Sequence, residues 1–272
     1  LATTKAGTIP RSTPAKKSAA SPADAPRRRG RPPKAEQVIA GTTPLLAREQ
    51  VIERAVQMAK VEPLAELSII GLAREFGVTP ALIHYYIGSR DDLISGVVNL
   101  YFKTRVERLG GLTGDWRADV EHHARQSYAL MVEYGGVLRY IMSHNRFRLF
   151  QQVAPGQTDY GLVYLNRMAQ IFRDGGFSPE HSAMGYHLLA QYTMTAAYAE
   201  VSRQLPAAHA KFIVKRIEQA PEAEYGAAHF MAEPFARVDA ESAFEAGLEL
   251  LLDGMERWRA SRPAKRARKA TR

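Results

Sequence analysis

The stretch LSIIGLAREFGVTPALIHYYIGSRDDL, residues 67–93, decides the fold. Ser68 suits a helix N-cap, and Leu67 before it can pack against Leu72, the pairing that fixes a helix's entry angle. The helix that starts there stops at Gly77, which takes the left-handed conformation at little cost. Thr79 then offers a new N-cap and Pro80 a first helical residue, so a second short helix is expected from Pro80 to Tyr86. Gly88 closes it. Ser89-Arg90-Asp91-Asp92 is a capping pattern that opens a longer helix, with Leu93, Ile94, Val97, Val98, Tyr101 and Val106 as its apolar stripe. Helices of about eight and about seven residues around a Gly-centred turn have the helix-turn-helix layout. The packing demands agree: Ala73 is small where the helices cross, and Ile83 can close onto Leu72 and Phe76. The alternative is three short core helices with no special use.

Outward from this motif, a preceding helix from Pro44 or Ala47 to Lys60 puts Val51, Ile52, Ala55, Val56 and Ala59 on one face and ends before Pro63. Downstream, helical spacing recurs at about 115–134, 136–149, 158–174, 179–204, 207–219 and 240–259. Gly110-Gly111, Pro155-Gly156, Gly175-Gly176 and the stretch from Pro221 to Pro234 separate these segments. No period-two strand is convincing, so the chain reads as all-α. The expected organisation is a basic tail (1–42), a three-helix helix-turn-helix domain (43–88), a larger helical C-terminal domain (89–259) and a second basic tail (260–272). The tails lack the apolar residues needed to offset the entropy of ordering and are expected to be disordered.

The charge is unevenly placed. The 272 residues carry 37 Lys and Arg against 28 Asp and Glu, a net of +9. Residues 1–40 hold nine basic and two acidic side chains, residues 257–272 hold eight basic and none acidic, and the body between has 20 basic and 26 acidic. An acidic body therefore carries two basic tails. Even the helix-turn-helix is not basic, since Arg48, Arg54, Lys60 and Arg74 stand against Glu49, Glu53, Glu62, Glu66 and Glu75. Affinity for duplex DNA depends on cations at phosphates, so the domain needs help from elsewhere. The N-terminal tail contains Arg29-Gly30-Arg31-Pro32, similar to an AT-hook core. Its glycine lets an extended backbone reach the groove floor while the flanking arginines enter a narrow A·T minor groove. A sequence-blind polybasic arm and a merely solvated tail are the alternatives. The C-terminal tail is expected to add non-specific attraction.

With no Cys there is no disulfide, thiolate metal site or cysteine nucleophile. No run approaches the ~18 apolar residues of a membrane span, and the first residues lack the apolar core of a secretory signal, so a soluble protein without membrane partners is expected.

The segment from Arg48 to Phe102, above all residues 67–93, resembles the N-terminal DNA-binding domain of TetR-family transcriptional regulators. Phe244–Glu256 is similar to the last helix of many members. The resemblance implies a bacterial, cytoplasmic, all-helical homodimer whose third helix enters the major groove. Its larger C-terminal domain dimerises and often holds an effector. The function implied is sequence-specific transcriptional regulation of double-stranded DNA, most often repression released or modulated by a small molecule. Carried over by position, Thr79, Pro80, Ala81, Leu82, His84, Tyr85 and Tyr86 face DNA, with Ser68 and Arg90 near phosphates. Hydroxyls, imidazole and helix N-terminal N–H groups suit phosphate oxygens and set register. Ile70, Leu82, His84, Ile87 and Pro63 depart from the commoner family pattern. Pro80, Ala81 and Leu82 can contact thymine methyls but cannot form bidentate pairs with guanine or adenine. Ile70 and Leu82 read equally well as partly buried packing residues.

In the C-terminal domain, Phe244, Leu248, Leu251, Leu252, Met255 and Trp258 share one face of the last helix. Met184, His187, Leu188, Gln191, Met194 and Tyr198 mark an earlier one. Two such helices per subunit can form a four-helix dimer interface, although part of each stripe reads equally as burial within one subunit. Tyr128, Met131, Tyr134, Phe147, Tyr164, Met168, Phe172 and His187 are the candidates for lining a pocket for a small apolar or aromatic effector, with an ordinary core as the alternative. Arg146 and Arg148 read first as solvated cations and second as receivers of an anionic group. In Glu121-His122-His123, successive helical residues point apart and no i, i+4 His pair supports a metal. No nucleophile elbow, phosphate-binding glycine loop or paired carboxylates appear, so neither an enzyme nor a cofactor is expected. The rivals are an architectural, nucleoid-associated DNA binder dominated by its tails and an effector-free protein-interaction module.

Overall fold

The computed structural model describes residues 46–144, 148–153 and 156–260. Its described part, from residue 46 on, is all helical. Helices α1 (Arg48–Met58), α2 (Ile69–Glu75) and α3 (Pro80–Ile87) form the helix-turn-helix unit. Ser68 Oγ accepts the Gly71 N–H at 2.9 Å and so caps α2. Beyond α2, the Val78 N–H reaches the Ala73 carbonyl (2.9 Å) and the Gly77 N–H that of Arg74 (3.2 Å), with Gly77 at φ +63°. This double closure needs a left-handed residue, which is why glycine ends the helix. Thr79 holds the N-cap backbone position of α3 without capping through its hydroxyl. Leu72, Ala73 and Ile83 are buried where the two helices cross, and Phe76 packs against them half-buried.

Helix α4 (Arg90–Arg108) opens on a reciprocal capping box, Ser89 N–H to Asp92 Oδ2 at 2.7 Å and Asp92 N–H to Ser89 Oγ at 3.2 Å. Bonds from the Ser89 backbone and hydroxyl hold the Asp92 carboxyl below its usual range. Leu93, Ile94, Val97, Val98 and Tyr101 are buried along α4 as its stripe requires. The next inward position belongs to Arg105, which is buried, rather than to the half-buried Val106.

Helices α5 (Trp116–Glu133), α6 (Gly135–Ser143), α7 (Tyr160–Asp174) and α8 (Pro179–Val201) follow. After a 3-10 turn (Pro206–His209) come α9 (Ala210–Glu218), α10 (Glu222–Ala236) and α11 (Ala240–Ala260). Asp115, Asp159 and Ser178 cap α5, α7 and α8 through their side chains. Helix α8 packs against α5 and α11, and α4 against α1 and α7. Arg117 bonds Glu249 and Asp253 (2.7 and 2.9 Å), and Arg125 grips Glu245 through two bonds, which clamps α11 onto α5.

Three boundaries differ from the sequence reading. Helix α6 stops at Ser143 rather than 149, the segment expected at 207–219 splits into the 3-10 turn and α9, and the Pro221–Pro234 separator is itself α10. Pro221 precedes the first helical residue, where a proline is tolerated, whereas Pro234 lies inside the helix and forgoes the bond to the Phe230 carbonyl two residues before the end. The helix is kinked at Tyr225 (φ −115°, ψ 27°). Helices α9 and α10 pack on each other and on the 3-10 turn, and the Ala207 N–H to Val238 carbonyl bond (3.0 Å) closes the base of this excursion. No residue of α9 is buried, and Phe212 and Phe230 stand exposed.

Besides its packing on α4, the helix-turn-helix meets the larger bundle at the start of α6. There Gly136 lies so close to the α1–α2 loop that a Cβ would stand 1.9 Å from the Glu62 carbonyl oxygen and 2.5 Å from that of Ala59. Beside it, Glu133 pairs with Lys60 (2.7 Å) and Arg108 (2.5 Å). Because backbone occupies the space, Gly136→Ala must push the loop away. Denaturant unfolding should show a loss of about 1–3 kcal/mol with helical content retained, the usual cost of overpacking. An unchanged midpoint would show that the loop yields freely.

Candidate nucleic-acid interface and effector cavity

Ser68, Thr79, Pro80, Ala81, His84, Tyr85 and Arg90 are exposed, and Leu82 and Tyr86 half-buried. Tyr85 is 81% exposed, with its ring edge-on to Tyr86 at 5.3 Å. Ile70, open between recognition and packing in the sequence, is 63% exposed, and Leu82 is half-buried. His84 Nδ1 lies 2.8 Å from the Gly88 carbonyl, which can only accept, so that nitrogen carries a proton and Nε2 is left for another partner. Arg90 donates to the carbonyls of Leu67 (3.3 Å) and Ala65 (2.5 Å), which ties the start of α4 to the approach of α2. Arg54 bonds Glu75 through Nε at 3.0 Å, so part of the unit's scarce positive charge is already paired. Arg29, Gly30 and Arg31 lie outside the described residues.

A cavity of about 340 Å³ lies among α4, α5, α6 and α8. Helix α4 contributes Tyr101, Phe102 and Arg105, α5 Met131, and α6 Leu138 and Ile141. Helix α8 adds Tyr186, His187, Ala190, Gln191 and Met194, while Arg148 and Leu149 complete the wall. Of the effector-lining residues expected from the sequence, it thus gathers Met131 and His187. Tyr164 sits behind the wall, its ring centroid 4.1 Å from Arg105 Cζ. Tyr128 stacks on Phe244 at 4.2 Å and donates to Glu200, away from this cavity. Tyr134 is buried at the α5–α6 junction beneath Lys60, and Met168 and Phe172 fill the core. Phe147 and Arg146 lie outside the described residues. Arg148 is half-buried against the Tyr140 ring and donates to the Tyr140 hydroxyl at 2.8 Å.

Arg105 is a site residue that the sequence reading passes over, although its signal is present: it falls four residues after Tyr101, on the inward stripe of α4. Its Nε donates to Ser127 Oγ at 3.1 Å. Ser127 Oγ lies 3.3 Å from His123 Nε2, and the Tyr164 hydroxyl 2.6 Å from the same nitrogen. Burial, then the nearby Arg105 charge, pushes His123 well below its usual range, and burial raises the Tyr164 phenol. The neutral His123 ring shares a hydrogen bond with the Tyr164 hydroxyl, while its Nδ1 is buried without a partner. Its neighbour His122 is exposed and Glu121 pairs with Arg125 at 2.6 Å, so the three consecutive residues serve different surroundings.

A two-part helical molecule, with an exposed helix-turn-helix and a separate ligand-sized cavity, is the architecture of a one-component DNA-binding regulator. Residues 111–259 match the tetracyclin repressor-like C-terminal domain family, and the chain belongs to the TetR family of transcriptional regulators. Among solved structures it is similar to apo ActR from Streptomyces coelicolor, at 22% identity and TM-score 0.68, over 80% of this chain and 99% of that one. ActR in complex with actinorhodin matches at 22% identity and TM-score 0.66, over 79% and 99% of the two chains. A possible TetR family transcriptional regulator from the same organism matches at 19% identity and TM-score 0.61, over 77% and 98%. No curated protein matches the chain in sequence. Among the described residues no helix is long and apolar enough to cross a membrane.

The buried histidine has a measurable consequence. His123 is neutral when folded and titrates near 6.5 when unfolded, so below that pH the unfolded chain takes up a proton that the folded chain refuses. Its contribution is complete above pH 6.5 and declines below it, by at most about 1.4 kcal/mol per pH unit. Denaturant melts should show stability falling between pH 6.5 and about 5, above the range of ordinary carboxylates, with a shallower slope in His123→Gln. Equal slopes would mean that the ring takes up its proton as readily in the fold as in the unfolded chain.

Proposed function

We propose that this chain is a dimeric, sequence-specific regulator, in the first instance a repressor, whose operator affinity is set by a small apolar or aromatic molecule in the α4–α5–α6–α8 cavity. The observation that carries this reading is the double position of α6. Its Leu138 and Ile141 line the cavity, while its first turn touches the α1–α2 loop through Gly136. A ligand that shifts α6 therefore moves the loop leading into the recognition unit, and binding at one place biases the other. ActR has been solved both without ligand and with actinorhodin, which supports a ligand-responsive reading of a similar fold.

Exposed Met184 on α8 and Leu250 on α11, 50% and 73% accessible, support these two helices as the dimer surface. In the proposed complex α3 enters the major groove, Thr79 and Tyr85 offer hydroxyls to phosphates, and Pro80, Ala81 and Leu82 lie toward thymine methyls. The Arg29-Gly30-Arg31 tail supplies the cationic contacts that the helix-turn-helix lacks and reads A·T-rich flanks through the minor groove.

Selection of preferred duplexes from a random pool by full-length protein tests the reading. A specific regulator keeps a preference of ~10³-fold or more over unrelated DNA at moderate salt. Equal competition by unrelated DNA would place the chain among architectural binders. Tyr85→Ala should lower affinity for the selected duplex about tenfold, a charge-assisted hydrogen bond's worth, without changing thermal stability. Deleting residues 1–40 should flatten log K against log salt and abolish any A·T preference in the flanks, whereas an unchanged slope would deny the tail a role on DNA.

A further inference from the structure

The charge balance of the cavity wall specifies more than an apolar ligand. Arg105 is 93% buried, given its 7% relative exposure, and its hydrogen-bond partner is the neutral Ser127 hydroxyl. The rest of its surroundings are aromatic, with Cζ 4.1 Å from the Tyr164 centroid and 5.9 Å from that of Phe102. Arg148, on the same wall, has one donor on the Tyr140 hydroxyl, while its Nε is buried with no hydrogen-bond partner. Among the described residues of the wall there is no Asp or Glu. Buried guanidinium groups are ordinarily paired with carboxylates, because an isolated charge out of water is costly. Here two arginines border one cavity, and neither has a carboxylate on its wall.

We propose that the molecule held in this cavity is an organic acid: an aromatic or alicyclic body with a carboxylate that pairs with Arg105 and Arg148. The body fills the space among Phe102, Met131, Leu138, Ile141 and Met194, and the carboxylate supplies the missing negative charge. The guanidinium groups on the cavity wall then gain a carboxylate acceptor, and charge-assisted bonds of this kind are the strong ones. The proposal rests on the effector reading of the cavity but goes further, because a neutral molecule of the same shape leaves both arginines as they are.

The test is a matched pair, naphthalene-2-carboxylate and naphthalene-2-carboxamide, extended to a panel of one- and two-ring acids with their amides. Each is titrated calorimetrically into the full-length protein at neutral pH. The acid should bind at least ~tenfold more tightly than its amide. Arg105→Met and Arg148→Met, which keep apolar volume, should each reduce that ratio, while the amide's affinity holds or rises. Because Arg105 is buried with a single neutral partner, Arg105→Met should also melt no lower than the parent chain. Equal binding of acid and amide in the parent chain, or a ratio unmoved in both variants, would overturn the proposal and leave the effector cavity standing. Failure of every acid and amide to bind would overturn both.

Discussion

The close approach of Gly136 to the carbonyls of Ala59 and Glu62 governs how this molecule is put together. Contact between backbones cannot be adjusted by a rotamer change, so α6 and the α1–α2 loop move together or separate. The Lys60–Glu133–Arg108 ion pairs border the same joint, and Lys60 lies over the Tyr134 ring at 4.8 Å. These exposed or half-exposed pairs add little on their own and chiefly orient what the glycine contact has already fixed. Everything proposed about regulation passes through this joint.

The second constraint is Arg105. A guanidinium against Phe102 and Tyr164 organises its neighbours: Ser127 accepts from it, burial and then its charge keep His123 neutral, and the Tyr164 hydroxyl meets the imidazole. Ser127, His123 and Tyr164 thereby form one buried polar cluster with this cation. A chain selected only for stability would do as well with an apolar residue at this place, which directs attention to the cavity beyond it.

Much of the recognition unit is legible in the sequence because its signals are local. Ser68, Gly77 and Ser89 each fix a helix end through bonds that span a few residues, Pro80 does so through its fixed φ at the first helical position, and the all-α architecture follows from periodicity alone. The Pro221–Pro234 stretch misleads because Pro221 stands ahead of the helix, where a proline is tolerated, and Pro234 falls inside it so near the end that only two residues follow. The cavity is legible only in part. Met131 and His187 line it, whereas Met168 and Phe172, of the same residue types and the same helical spacing, fill the core. What separates the two sets is the distance between helices, and composition does not carry that. Arg105 is readable from its place on the α4 stripe, since a cation four residues after a buried Tyr demands an explanation.

Occupancy of the cavity is expected to move the recognition units. The chain has no cysteine, so Arg74→Cys, exposed at the end of α2, provides one spin-label site per subunit. Pulsed dipolar spectroscopy then reads the separation of the two labels in the dimer, with and without an acid shown by calorimetry to bind. Binding should displace the distance distribution, and no displacement should appear when Arg105→Met or Arg148→Met has abolished that binding. An unchanged distribution in protein with its cavity filled would contradict that expectation.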